Sequence, residues 1–229
     1  DHVLLYQLSP VMMGIAGLLV GRWKRIPITL YVLDLWPENL FSVLPVSNSF
    51  LRWVATRHSH WYYKRTDSLV VLSERMRTRL AEVTGKTNER IAIIPQACER
   101  VYETRPEAPE LIARFRGCFN IVYTGNISPA QSFITMVEAA CLLKQRGLVG
   151  IRWIVVGDGM SRKNAEELVR DRGLEDDFVF EGHHPVPEIP KYLRVADVLV
   201  GCLVRSHLLE ATIPAKVMSY LAAGRPVVL

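Results

Sequence analysis

The sequence has 229 residues, of which 49% are apolar and 22% are charged. This balance is typical of a globular protein and excludes a disordered one, and the length allows one large domain or two of medium size. The formal net charge of +5 favours an anionic partner such as a nucleic acid, a lipid headgroup or a phosphorylated substrate. The four cysteines lack the spacing of a zinc knuckle or a CxxC motif, so we expect buried free thiols in a reducing compartment.

The first half alternates short apolar strands with helices. We predict strands at 2–7, 26–33, 67–72 and 90–95, and helices at 10–23, 47–65 and 74–83, the last capped by Ser73. Such alternation is typical of βαβ units and a parallel sheet. The apolar stretch 11–20 is shorter than the ~20 residues that a membrane span needs, so we predict no transmembrane helix, and we see no signal peptide.

Composition changes at 99–117, where prolines and charges occur without a strand pattern. We interpret 100–117 as a linker between a first domain, 1–99, and a second domain, 118–229. In the second domain we predict strands at 119–124, 151–156, 178–180, 197–203 and 226–229, and helices at 132–146, before 172, at 186–195 and at 214–223.

The predicted fold class is therefore α/β, with two Rossmann-like doubly wound parallel sheets. The chain begins at one predicted strand and ends inside another. We expect both domains to be incomplete and flanking sequence to be missing on both sides. The alternative is a naturally compact chain that ends here.

Glycine-rich loops follow two of the strands predicted in the second domain. Gly125 and Asn126 follow one strand, and Gly157, Asp158 and Gly159 follow the next. Ligands of open parallel sheets bind beyond the carboxyl ends of the strands, where glycine permits close approach and helix amides attract phosphate oxygens. Each loop by itself fits a tight turn as well as it fits a ligand site.

A third loop contains Pro214 and Lys216 and enters the helix predicted at 214–223. Proline is favoured in the first turn of a helix, because its missing N–H is not needed there. A lysine at that end opposes the helix dipole unless an anion is bound. We therefore favour a phosphate contact for Lys216 over a solvated lysine.

Asp34 ends a predicted strand and precedes the segment Trp36-Pro37-Glu38. A carboxylate at this edge of a sheet can orient a substrate hydroxyl or accept its proton. We take Asp34 and Glu38 as candidate catalytic residues. The alternative is an aspartate that caps the next helix.

His58 and His60 lie in a basic and aromatic stretch. It contains Arg52, Trp53, Arg57, Trp61, Tyr62, Tyr63, Lys64 and Arg65. The two histidines lack an accompanying carboxylate, and the acidic segment 175–177 is not a DxD motif, so we expect no metal site. Nucleic acids and membrane interfaces both suit such a stretch, and we favour a peripheral membrane face. The alternative is a helix that packs its aromatic side chains on the core.

Several segments in order share a pattern with one known family. They read YTGNI at 123–127, VVGDG at 155–159, FVFEG at 178–182, ADV at 196–198, IPAK at 213–216 and SYLAAGRPV at 219–227. This series resembles the donor-binding domain of GT-B glycosyltransferases, in particular the family 4 group that builds capsule and O-antigen polysaccharides. In the first half, DLWPE at 34–38 and the segment 67–73 resemble the same group.

The resemblance implies a retaining, metal-independent glycosyltransferase that uses a nucleotide-diphosphate sugar, taken here as UDP-linked, and needs no cofactor. The diphosphate would lie between Gly125 and Lys216, and the nucleobase near Gly182, His183 and His184. The predicted donor-binding residues are Gly125, Asn126, Gly157, Asp158, Gly159, Gly182, His183, Pro214, Lys216, Ser219 and Tyr220. The acceptor on the first domain would be a lipid-linked saccharide at the cytoplasmic face of the plasma membrane, with no nucleic acid involved.

Two positions depart from the pattern that the resemblance implies. Many members carry an arginine and a lysine in the loop that here reads 126–131 without a cation, so Lys216 would supply the charge. Many also carry two glutamates at the positions that are Ala211 and Ser219 here, with Glu210 one place away. The alternatives left open are a non-catalytic nucleotide-binding or partner subunit, and a sugar-nucleotide epimerase of similar fold.

Overall fold

The computed structural model describes residues 1–8, 10–43, 46–205 and 213–229. The described chain forms two compact units, one of residues 1–96 and one of 97–204 with 214–229. Each unit has a wholly parallel sheet with helices packed on it, which confirms the predicted α/β class. Glu210 and Ala211 lie outside the described residues.

The first unit is built on four parallel strands. These are β1 Val3–Gln7, β2 Ile28–Val32, β3 Ser68–Val71 and β4 Ile91–Ile93, hydrogen-bonded in the order β1-β2-β3-β4. The helices are α1 Ile15–Lys24, α2 Glu38–Val43, α3 Ser49–Arg65 and α4 Glu74–Thr84. The described strands therefore advance in one direction, which is one half of a doubly wound arrangement. Ser73 caps α4 as predicted, because its Oγ accepts from the Met76 amide at 3.3 Å.

The core of the first unit is the sheet covered by α3. Apolar strand residues such as Leu30, Val32 and Leu69 are almost wholly inaccessible, and Tyr62 and Tyr63 of α3 pack against them. The Tyr63 hydroxyl accepts from the Trp36 amide at 2.9 Å. The aromatic stretch thus has a structural part, in which two tyrosines fill the core and fix the loop after β2.

The second unit has five parallel strands. These are β5 Phe119–Thr124, β6 Ile151–Val156, β7 Phe178–Gly182, β8 Val198–Val200 and β9 Val227–Val228, in the order β7-β6-β5-β8-β9. The helices are α5 Pro109–Arg114, α6 Phe133–Gln145, α7 Arg162–Asp171, α8 Ile189–Val195 and α9 Ala215–Ala222. The sheet grows outward from β5 in both directions and is doubly wound.

Some expected bounds change in the structure. The strand predicted at 197–203 spans only Val198–Val200, and the strand predicted at 178–180 extends to Gly182. The segment 100–117, predicted as a linker, contains α5 and lies in the second unit, where Phe115 is buried in the core. The four cysteines are free thiols as expected, but they are half-buried.

One aspartate in each unit fixes the register of two neighbouring strands. In the first unit, the Asp67 carboxylate accepts from the Ile28 amide at 2.8 Å while the Asp67 amide donates to the Ile28 carbonyl. In the second, Asp197 makes the same two bonds with Asn120, at 2.7 and 2.8 Å. Both aspartates stand just before a strand, and the strands they join are not consecutive in the second unit.

Candidate functional site

The doubly wound sheet of the second unit creates one crevice for a ligand. The chain leaves β5 toward β6 on one side, while β8 pairs with β5 on the other. At such a reversal the loops that follow the two central strands diverge, and ligands bind beyond their carboxyl ends. The loop that begins at Gly125 and residues 201–204, which follow β8, are therefore expected to border the candidate site.

The loops after β5 and β6 are packed backbone against backbone. Gly157 has φ +142°, and a Cβ at this position would lie 2.0 Å from the Gly125 carbonyl oxygen. Gly159 has φ +156°, and a Cβ there would lie 2.2 Å from Asn126 Oδ1. Only glycine fits at both positions. These two glycines have a packing role that would exist without a ligand, and their contact with a donor stays a prediction.

Two amides of the loop after β5 are already used by neighbouring strands and loops. Gly125 N–H donates to the Val156 carbonyl and Ile127 N–H to the Asp158 carbonyl, both at 2.9 Å. Gly157 N–H donates to the Gly182 carbonyl at 2.7 Å. The three loops thus form one rigid edge. Its glycines shape the floor of the site, and the charge for an anion has to come from elsewhere.

Lys216 brings that charge to the crevice from α9. The helix begins at Ala215 and Pro214 is its N-cap, so the helix starts one residue later than predicted. The Lys216 ammonium lies 3.9 Å above the ring centroid of Tyr123 and donates to Gln131 Oε1 at 2.5 Å. A methyl group on Gly125 would come within 3.2 Å of the same ammonium. Gly125 and Lys216 therefore lie next to each other in the structure, and the diphosphate expected between them stays a prediction.

The Lys216 side chain is held in an environment that disfavours its charge. Burial lowers its pKa from 10.5 to about 8, and the nearby Cys202 thiol opposes this only weakly. Among the described residues no carboxylate pairs with it, and its polar partner is the neutral Gln131. A largely buried cation without an acidic partner costs desolvation free energy, unless the anion of a ligand pairs with it.

Ser219 and Tyr220 lie behind Lys216 on α9. The Tyr220 hydroxyl is fully buried, accepts from the Thr124 amide at 2.8 Å, and has the Thr124 and Val200 carbonyls at 3.3 Å. Ser219 Oγ donates to the Lys216 carbonyl at 2.9 Å. Tyr220 therefore holds α9 on the carboxyl ends of β5 and β8, which fixes where Lys216 points.

The predicted nucleobase end of the site lies at the close of β7. Gly182 is buried with φ +78°, and the His183 side chain is exposed. His184 is occupied, since its ring nitrogens contact Tyr192 Oη at 2.9 Å and Glu188 at 3.1 Å. Of the two histidines, His183 is the one whose ring faces solvent beside the loops.

Arg162 was missed by the sequence reasoning. It lies in the first turn of α7, bonds Asp158 at 3.2 Å and Glu166 at 2.8 Å, and stands 3.2 Å from a methyl group placed on Gly182. The Asp158 pKa is lowered, first by the Gly159 amide and then by Arg162. The sequence pattern that indicates Arg162 is the same one that indicates Lys216, namely a cation at the start of a helix.

In the first unit, Asp34 lies in the loop after β2, and Glu38 is the first residue of α2. Asp34 Oδ1 accepts from Asn39 Nδ2 at 2.7 Å. Glu38 opens α2 and is paired with Arg79 of α4 at 2.9 Å, with 16% of its side chain exposed. Glu38 thus joins two helices, and the catalytic role predicted for both carboxylates stays a prediction.

The exposed part of the aromatic stretch lies at the start of α3. Phe50 and Trp53 are 67% and 60% exposed and stack on each other, and Trp23 of α1 is 82% exposed. His60 has its pKa lowered, chiefly by burial. The stretch therefore divides into a core-packed end and a solvent-facing apolar end. No helix in the described ranges has both the length and the apolar character to cross a bilayer.

Comparison with known proteins finds a family model that is similar to the second unit. Residues 118–229 match the family model described as Glycosyl transferases group 1. The chain is 31% identical over 180 residues to the 2-deoxystreptamine glucosyltransferase of Streptomyces kanamyceticus, which covers 76% of this chain and 45% of that protein. The chain therefore spans less than half the length of this relative.

Two solved structures share the fold. The Anabaena protein Alr3699/HepE, crystallised with UDP, superposes with a TM-score of 0.76 at 16% identity, over 98% of this chain and 58% of that one. WaaG, a glycosyltransferase involved in lipopolysaccharide biosynthesis, superposes with a TM-score of 0.65 at 14% identity, over 93% of this chain and 62% of that one. At these identities the likeness concerns the fold alone.

Proposed function

We propose that this chain, whose residues 118–229 match the family model described as Glycosyl transferases group 1, is the part of a glycosyltransferase that holds a nucleotide-diphosphate sugar on its second unit. The observation that carries the proposal is Lys216, a half-buried cation without an acidic partner among the described residues, at the carboxyl ends of β5 and β8. A diphosphate at this position would neutralise the charge of the Lys216 ammonium.

The proposed reaction needs no protein nucleophile and no metal. The bond between the anomeric carbon and the diphosphate breaks with its electron pair on the phosphate oxygen, whose new charge Lys216 stabilises. The acceptor hydroxyl forms the new bond on the same face and gives its proton to the departing diphosphate. Attack on that face retains the anomeric configuration.

The donor is proposed to be a UDP-sugar. The fold neighbour HepE was crystallised with UDP, and the exposed His183 ring beside Gly182 offers a polar group for a base. The glycine floor at Gly125 and Gly157 leaves room for the diphosphate close to the backbone. Lys216 then contacts the diphosphate, and Tyr220 positions Lys216.

Asp34 is the proposed acceptor contact on the first unit. It stands two residues after the end of β2, and Asn39 orients its carboxylate. Glu38, being paired with Arg79, acts as a positioning residue that anchors α2. An Asp34→Asn variant should lower kcat by about 10²-fold or more with a smaller change in the KM for the donor. A Glu38→Gln variant should chiefly lower the melting temperature. An unchanged kcat in the Asp34 variant would remove this role.

The acceptor is proposed to be a lipid-linked saccharide used in surface polysaccharide synthesis, at the cytoplasmic face of the membrane. The exposed Trp23, Phe50 and Trp53 lie on helices that also carry arginines and lysines. Aromatic side chains flanked by cations favour the interface of an anionic bilayer. A soluble aminocyclitol, as in the name of the Streptomyces relative, is the competing acceptor class.

Calorimetry of the intact protein with UDP and UDP-sugars tests the donor site. We expect Lys216→Ala to abolish binding and transfer, whereas the matched control Lys144→Ala, an exposed lysine of the same unit, keeps both. Analysis of products then separates the reactions, since a transferase yields a glycoside, whereas an epimerase yields an epimerised nucleotide sugar or, where water cleaves the bond to the diphosphate, the free epimerised sugar. Full transfer by Lys216→Ala, or no binding of any nucleotide sugar, would contradict the proposal.

The acceptor is tested with the same protein. Lipid-linked saccharides in vesicles and soluble aminocyclitols are offered separately with the donor. Glycoside formed only on the lipid-linked acceptor supports the membrane role, and a Trp53→Ser variant should lower that rate without affecting UDP binding. Glycoside formed only on the soluble acceptor would replace the lipid proposal and leave the donor site intact.

A further inference from the structure

A cavity of the second unit lies at the edge of the sheet opposite the donor site. Its volume is about 590 Å³, which is within the range of small-molecule sites. It is bounded by the start of β5, the end of α8, the turn after α9 and the segment that precedes and includes α5. At about 3.3 Å per residue, the six residues of β5 place it roughly 17 Å from Lys216.

Four arginines line this cavity. They are Arg105, Arg116, Arg194 and Arg225. Among the described residues none of the four forms an ion pair with a carboxylate. The one acid in the lining is Asp197, and it accepts from the Asn120 amide as part of the strand register. Four guanidinium groups against one carboxylate give the cavity a net positive charge.

The arginines are placed by backbone contacts. Arg225 donates to the Arg194 carbonyl, and Arg194 donates to the Arg105 carbonyl. Each guanidinium has five N–H donors, so donors remain on both. Arg105 Nη2 lies 3.7 Å from a methyl group placed on Gly224, so a third guanidinium reaches the same turn. Preplaced guanidinium groups are suited to bidentate contacts with phosphate oxygens.

Asn120 lines the cavity and is held by buried hydrogen bonds. Asn120 is 7% exposed, and its Nδ2 donates to the Phe115 and Val195 carbonyls, both at 3.1 Å. These bonds fix the orientation of the amide, and its Oδ1 has no hydrogen-bond partner within the described ranges. A buried acceptor of this kind is rare in proteins. The oxygen is closed to solvent, so Asn120 belongs to the fixed packing beneath the cavity.

We propose that this cavity binds a phosphorylated sugar as a second ligand of the protein, separate from the nucleotide donor. The arginines would hold the phosphate, the exposed Thr104 hydroxyl would accept from a sugar hydroxyl, and the exposed side chain of Ile112 would pack against the ring. α9 connects the two ends of the sheet, because its start carries Lys216 and the turn at its end carries Arg225.

The test is calorimetry on the intact protein with saturating UDP, which occupies the donor site. The probes are glucose 1-phosphate, inorganic pyrophosphate and glucose. We expect glucose 1-phosphate to bind, glucose not to bind, and the Arg105→Gln/Arg116→Gln double variant to weaken binding by about tenfold or more. Both side chains are exposed, so circular dichroism should show an unchanged fold.

The matched control is Arg146→Gln/Arg170→Gln, which removes the same charge from exposed positions outside the cavity. Equal weakening by the control would show that only net charge matters and would overturn the proposal. Loss of glucose 1-phosphate binding in Lys216→Ala would assign the ligand to the donor site and would also overturn it. Binding to phosphatidylglycerol vesicles without binding of glucose 1-phosphate would reject the sugar in favour of a lipid headgroup. This experiment measures binding alone, with no acceptor and no turnover. Its outcome is therefore independent of whether the proposed sugar transfer takes place.

Discussion

A Lys216→Met variant should bind the nucleotide donor poorly and yet melt at a higher temperature at pH 7. Burial lowers the Lys216 pKa from 10.5 to about 8, and at about 1.4 kcal/mol per pKa unit the charged state costs the folded protein on the order of 3 kcal/mol. The contact with the Tyr123 ring, about 1–2 kcal/mol, offsets part of this cost.

Methionine has a similar length and removes both the buried charge and the contacts that offset it. The Gln131 oxygen left behind still has the Tyr123 hydroxyl at 3.3 Å. The net gain should be about 1 kcal/mol, which for a chain of this size raises the melting temperature by about 2–4 °C. Lysine at position 216 therefore supports ligand binding but lowers the stability of the folded protein.

The pH dependence of the gain gives a second check on its cause. The folded pKa of Lys216 lies below the unfolded value, so the cost is fully present below about pH 8 and is lost as the pH rises toward 10.5. Differential scanning calorimetry at pH 7 and at about pH 9.5, with Lys144→Met as control, should show the advantage shrinking with pH. A lower melting temperature at pH 7, or an advantage that grows with pH, would refute the reasoning.

Three further outcomes follow from the site. UDP affinity, measured by calorimetry from pH 7 to 9.5, should fall above about pH 8 as Lys216 loses its proton; a flat profile would mean that its charge is not used. Gly157→Ala should lose about 2 kcal/mol or more and most UDP binding, because its methyl group would meet the Gly125 carbonyl; wild-type binding and stability would contradict the loop packing. Tyr220→Phe should lower the free energy of unfolding in urea by about 1–3 kcal/mol, because the Thr124 amide loses its acceptor. A decrease of less than about 0.5 kcal/mol would mean that water replaces the hydroxyl as the acceptor.

The inner strands of the second unit could be predicted from the sequence to the residue. The strands at 119–124 and 151–156 have the predicted bounds, because each is rich in β-branched and aromatic residues and is followed directly by a glycine. The short helices α2 and α5 were not predicted. Each has six residues, too few to be stable alone, and such helices form only because tertiary packing holds them.

The candidate site could be predicted in part. Lys216 was found because a cation at a helix start conflicts with the dipole, a conflict visible in the sequence. Its neighbours Tyr123 and Gln131 were not found, since the bond between Gln131 and Lys216 joins residues 85 apart in the chain. Tyr220 was predicted to touch the donor, and the structure adds a positioning role that only its burial reveals.

Asp67 and Asp197, which stand at corresponding positions before a strand in the two units, affect how many βα units can be inserted into this fold. The contact of Asp67 with Ile28 closes a chain segment of 39 residues, and that of Asp197 with Asn120 closes one of 77. Loop-closure entropy rises only with the logarithm of length, so this doubling costs about 0.6 kcal/mol. Further βα units inserted between such anchors would add strands to the outer edge while the two central strands keep their register. The loops that carry the candidate site would then stay in place while the periphery diversifies.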